Sequence, residues 1–154
     1  MRFHQVKELV AWAADYHRGL AERYARLAGG DVSDRVRMAL DYLAEHERKM
    51  QTELMRYLEE GGDHRKVLET WFDDPADFPH APALDRLPER MGCDSVQDVL
   101  ATALTMHRTL QDLYAHRTAQ ASIEAEREFF AALASGHEAE VRRLARDMQR
   151  LEDY

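Results

Sequence analysis

The sequence predicts an all-α protein, an antiparallel four-helix bundle with one long crossover between its second and third helices. Two observations carry this. Apolar residues recur at steps of three and four along four long segments, and glycine and proline fall between those segments. A third observation, an internal repeat at an offset of 90, shows that the four segments form two related hairpins. A chain of 154 residues with 45% hydrophobic and 32% charged residues suits one domain with one core.

The first helix is expected near residues 3–28. Its stripe reads Val6, Val10, Ala13, Leu20, Tyr24 and Leu27, and Gly29-Gly30 ends it. The second is expected near 32–60, capped by Asp31 or Ser33, with Val36, Leu40, Leu43, Met50, Leu54 and Tyr57 on one face before Gly61-Gly62. Residues 61–93 then hold all four prolines, Pro75, Pro79, Pro82 and Pro88. In this crossover, 64–72 suits a short helix with Trp71 and Phe72 as apolar plugs, and 73–88 suits extended chain. The third helix is expected near 95–118, capped by Asp94 or Ser95, with Val96, Leu100, Ala103, Leu110 and Tyr114 inward. The fourth is expected near 121–152, with Ile123, Phe130, Leu133, Leu144, Met148 and Leu151 inward. Helices of this size reach roughly 38 Å at 1.5 Å per residue. The short joints make each hairpin antiparallel, over about 1–60 and 94–154.

Adding 90 to a first-half position lands on a similar residue. Val6 meets Val96, Ala13 meets Ala103, His17-Arg18 meets His107-Arg108, and Tyr24 meets Tyr114. Leu43-Ala44 meets Leu133-Ala134, and Leu54 meets Leu144 in the same frame. Paired His-Arg dipeptides and paired tyrosines are hard to attribute to chance.

Charge and composition narrow the function. Lys and Arg number 21 and Asp and Glu 29, a formal net charge of −8, which argues against a nucleic-acid or anionic-membrane partner. The longest runs free of Asp, Glu, Lys and Arg, 99–107 and 129–137, are nine residues each. A bilayer span needs about 20 apolar residues. One cysteine, Cys93, forms no disulfide framework, and the opening Met1-Arg2-Phe3-His4-Gln5 leads straight into a charged periodic segment. A cytoplasmic setting is expected.

The apolar stripes are interrupted at one level. His17 stands between Ala13 and Leu20, Glu47 between Leu43 and Met50, His107 between Ala103 and Leu110, and His137 between Leu133 and Glu140. Under the repeat, 17 matches 107, 47 matches 137, and Met50 matches Glu140. Five ionisable side chains therefore converge at mid-height. Burying them costs several kcal/mol each unless they pair or bind an ion. Imidazoles with carboxylates suit a transition metal, and a hydrogen-bonded His–Glu network with trapped water is the alternative.

The layout resembles the ferritin-like superfamily, in particular rubrerythrin-like diiron proteins. The resemblance rests on ligand-type residues at 17, 47, 107 and 137, on Tyr24 and Tyr114 seven residues after His17 and His107, and on Leu-Ala-x-x-ligand at Leu43–Glu47 and Leu133–His137. It covers all four helices through short motifs. Such bundles carry Glu on the first and third helices and Glu-x-x-His on the second and fourth. Here Glu47 alone keeps the family's residue. His17 and His107 replace Glu, Met50 replaces His, and His137-x-x-Glu140 reverses the order. Two carboxylates neutralise two irons poorly, so the resemblance implies one Fe, Mn or Zn ion held by Glu47, His107, His137 and Glu140, with His17 as a fifth ligand. Iron storage is not expected.

Other polar residues take plainer readings. His46 lies about 100° from Glu47 on the helix and is expected at the surface. His4, His64, His80 and His116 are expected there too. Tyr24 and Tyr114 are expected to pack in the core, and Arg142, Arg143, Arg146 and Arg150 to form a solvated or partner-facing stripe. Gly136 suits a local bulge, a close approach or an ordinary helix position. Cys93 at a helix entrance is open to a lowered pKa. No phosphate loop, dinucleotide turn, nucleophile elbow or HExxH pair occurs. Three readings stay open: a metal-binding ferritin-like protein, a small oxidoreductase or metal handler; a homodimeric bundle without metal that serves structure or interaction; and a hydrolase or transferase with one metal ion.

Overall fold

A computed structural model describes residues 3–59, 65–72 and 93–153. The described residues form five helices: α1 (Val6–Ala28), α2 (Asp34–Glu59), α3 (Arg65–Leu68), α4 (Val96–Gln120) and α5 (Glu124–Glu152). The described residues form no strand; an isolated antiparallel bridge joins Gln5 to Trp71. No described helix is long and apolar enough to cross a membrane.

Local chemistry sets the helix ends. The Glu8 carboxylate accepts from the His4 and Gln5 N–H groups at 2.5 and 3.2 Å, satisfying donors ahead of the first turn of α1. Ser33 Oγ accepts from Val36 N–H and Ser95 Oγ from Asp98 N–H, so the serines cap α2 and α4, with Asp31 and Asp94 outside. α1 begins at Val6 because the three residues before it are used otherwise. Phe3 enters the core, and backbone bonds run from Phe72 N–H to His4 O and from Val6 N–H to Thr70 O.

α1 lies along α2, and α4 along α5. Each pair is antiparallel. Near its turn Arg37 Nε donates to Ala28 O, while His17 meets Glu47 at mid-length. In the second pair Arg117 meets Glu126 near the turn and His137 meets His107 at mid-length. α2 also touches α4 and α5, and α3 touches α1 and α5. One apolar core runs through the structure, including Leu9, Leu40, Leu110, Phe130, Leu144 and Met148. Burying a side chain of this size contributes about 1.5–3 kcal/mol. Tyr16 Oη donates to Met106 O at 3.3 Å, a bond between two residues that the repeat makes equivalent.

The crossover differs from expectation in part. The short helix covers Arg65–Leu68, and Phe72 is buried against Phe130 at 6.4 Å between ring centroids. Trp71 is not a plug: it is 66% exposed. Its backbone pairs with Gln5, and successive residues of extended chain point to opposite sides, so burying Phe72 turns Trp71 out beside His4. Residues 73–88, His64 and His80 lie outside the described residues. Ile123 is 50% exposed, because it caps α5 from outside rather than belonging to its stripe.

Gly136 lies within an unbroken helix, and a Cβ built there would meet nothing within 4 Å. It is neither a bulge nor a close approach. Gly136→Ala is expected to stabilise the protein by about 1 kcal/mol, through helix propensity alone. Urea unfolding checks this, and a loss of stability would refute the open-space reading.

Candidate metal centre

Each residue of the polar layer is turned inward by its apolar neighbours on the same helix. Ala13 and Leu20 are buried on either side of His17, Leu43 and Met50 beside Glu47, and Ala103 and Leu110 beside His107. On α5, Phe130 and Leu144 are buried one helical repeat before and after His137. Glu47 is 0% exposed, and His17, His107 and His137 are buried with it.

Glu47 sits between two imidazoles. His17 Nδ1 is 2.5 Å from Oε2, and His107 Nε2 is 2.6 Å from Oε1. The two contacts differ in kind. The first is a hydrogen bond. The second is a buried imidazole–carboxylate ion-pair contact, and His107 Nδ1 has no hydrogen-bond partner among the described residues. His137 Nε2 is 2.9 Å from the His107 carbonyl. A carbonyl oxygen only accepts, so His137 Nε2 carries the proton and Nδ1 keeps the lone pair in the neutral ring. The His107 and His137 rings are 5.0 Å apart, and His17 is 6.0 Å and 6.2 Å from them.

The electrostatics centre on Glu47. Burial alone would push its carboxyl up. His107 and His17 outweigh that and hold it well below the usual carboxylate range. An ionised carboxylate this deep needs a positive counterpart, from a protonated ring or a bound cation. His137 is pushed down to about 3, chiefly by burial and further by His107 and His17. It is a neutral imidazole at physiological pH.

Glu140 occupies a different place from the other four. Its Oε1 accepts from Arg143 at 2.6 Å and lies 3.8 Å from Lys49 Nζ, while Oε2 is 3.9 Å from His46 Nδ1. Two cations already face it at the edge of the layer. His46 is the residue that sequence reasoning missed: it is 8% exposed, stacked on Tyr42 and edge-on to His107. α2 touches α1, α4 and α5, so its buried arc is wider than one stripe and takes in a residue 100° from Glu47. Burial pushes the His46 imidazole down. Tyr24 and Tyr114 are core residues, as expected, and Tyr114 packs edge-on against His137. The lowered Cys93 pKa is corrected: burial, Asp94 and Asp98 raise it.

A cleft of about 520 Å³ reaches the layer from outside. It opens between α2 and α5. His17 and His137 line it along with Met50, Leu54, Leu133 and Glu140. Nothing in the helical periodicity marked this opening, because it depends on how two helices diverge.

The donor set fits a transition-metal ion by type: three imidazoles and a carboxylate in one buried layer. His137 shows the outer-shell arrangement of a ligating histidine, one ring nitrogen fixed by a carbonyl and the other left for an ion. The residues are not spaced as a ready cage. No group of three or more His, Cys, Asp or Glu among the described residues is disposed to hold a metal, since Glu47 closes directly onto His17 and His107. Comparison of the chain with protein-family models, with curated proteins and with solved structures finds no match.

Proposed function

We propose that this chain is a ferritin-like four-helix bundle that binds one transition-metal ion in its core, through Glu47, His107, His137 and His17, with Glu140 at the margin. The observation that carries the proposal is the fully buried Glu47 carboxylate bracketed at 2.5 and 2.6 Å by His17 and His107, with His137 buried beside them. A carboxylate ionised at this depth calls for positive charge, which a bound cation within reach of the same donors supplies. Glu47 supplies the negative charge. His137, fixed by the His107 carbonyl, supplies a neutral donor already in the right tautomer. Such an ion would act as a Lewis acid or a redox centre. The cleft gives this layer a route to small molecules.

The test is elemental analysis of untagged protein purified without chelator, then reconstituted with Fe, Mn or Zn. About one ion per chain is expected, as one such donor set serves one ion. His107→Ala with His137→Ala is expected to abolish binding while the helical circular dichroism persists. Full metal content in that double variant would remove these residues from the site. No metal after reconstitution would favour a second reading, a bundle without metal. That reading draws on the 2.5 Å His17–Glu47 hydrogen bond, which satisfies both groups without an ion.

A further inference from the structure

The cleft between α2 and α5 has a floor and walls of different chemistry. At the floor, Glu47 holds His17 Nδ1 and the His107 carbonyl holds His137 Nε2. Both rings line the cleft. The nitrogen left on the His137 ring is Nδ1, which accepts, since its Nε2 carries the proton given to the His107 carbonyl. The walls are apolar and partly aromatic, with Met50, Leu54, Tyr57, Tyr114 and Leu133. Of the charged residues at the lining, Glu140 is paired with Arg143, and Glu53 and Arg56 bring one charge of each sign, so neither an anion nor a cation is favoured. The volume lies within the roughly 300–1,000 Å³ range of small-molecule sites.

We infer that this cleft binds a neutral, flat, largely apolar molecule bearing a hydroxyl group, a phenol or aromatic alcohol, with the O–H directed to His137 Nδ1. Aromatic and thioether walls suit a flat apolar body. The acceptor at the floor, His137 Nδ1, selects a ligand that donates. The inference rests on the reading of the His–Glu layer as a functional site, not on the ion.

The probes are 2-naphthol and 2-methoxynaphthalene, which share a shape but differ in the donor. Each is titrated into chelator-treated protein by calorimetry, with metal content of the untreated protein measured in parallel. 2-Naphthol is expected to saturate below about 1 mM and to bind about tenfold more tightly than the ether. Gly136→Leu should fill the cleft from α5 and weaken binding by about tenfold or more, since nothing now stands where its side chain would go. If that variant does not fold, Ala132→Leu on the same lining serves instead. Equal affinity for both probes would overturn the proposed floor contact. No saturation, or unchanged affinity in the filled variant, would overturn the site. Metal-containing protein that fails to distinguish the probes refutes this inference alone. Metal-free protein that distinguishes them refutes the metal reading alone.

Discussion

Glu47→Ala is expected to destabilise the protein by about 3–5 kcal/mol, the cost of breaking a buried charged pair and leaving its partners behind. The carboxylate is fully buried and bracketed by His17 and His107. Its removal leaves two buried imidazoles with neither acceptor nor counter-charge, and a cavity beside them. Glu47→Gln keeps the volume and one acceptor, so it should cost less. Urea unfolding of chelator-treated protein measures both. A loss below about 1 kcal/mol for Glu47→Ala would mean that the imidazoles find other partners or water. The carboxylate would then not organise the layer.

The second large effect is expected at Arg117. Its guanidinium forms a buried ion pair with Glu126 and lies 4.1 Å above the Phe72 ring. Arg117→Leu strands the Glu126 carboxylate in the core and loses the cation–π contact, for a cost of about 3–5 kcal/mol. The repeat suggests the remedy. Position 117 corresponds to Leu27 and position 126 to Val36, so the first hairpin carries an apolar pair where the second carries charges. Arg117→Leu with Glu126→Val should therefore recover most of the loss, because replacing both partners leaves no orphaned charge. A double variant as unstable as the single one would show that Arg117 acts chiefly through Phe72 and the crossover.

These residues also show what periodicity reveals and what it leaves out. The four long helices are legible because steps of three and four, broken by glycine and proline, fix both length and inward face. That same register brings His17, Glu47, His107 and His137 to one level. Arg117 and Glu126 stand three residues from Tyr114 and four from Phe130 on buried stripes, but a charged pair adds nothing to an apolar periodicity and so goes unmarked by it. His46 was not legible from one stripe, since its burial depends on α2 having three neighbours. Glu140 follows the ligand spacing and yet faces Arg143 and Lys49, because side-chain partners at the rim depend on how far apart two helices stand. The cleft has the same origin.

The matched pairs 17–47 and 107–137 have one more consequence. Two identical hairpins docked face to face would present the same residue twice at each level: two carboxylates repelling each other, or two imidazoles with no anion between them. Joining the hairpins in one chain removes that constraint. Position 47 holds an acid while its counterpart, 137, holds a base. The fused chain can thus place an acceptor of positive charge on one side of its axis and a neutral donor of electrons on the other, a polarity that no symmetric dimer of a single hairpin can encode.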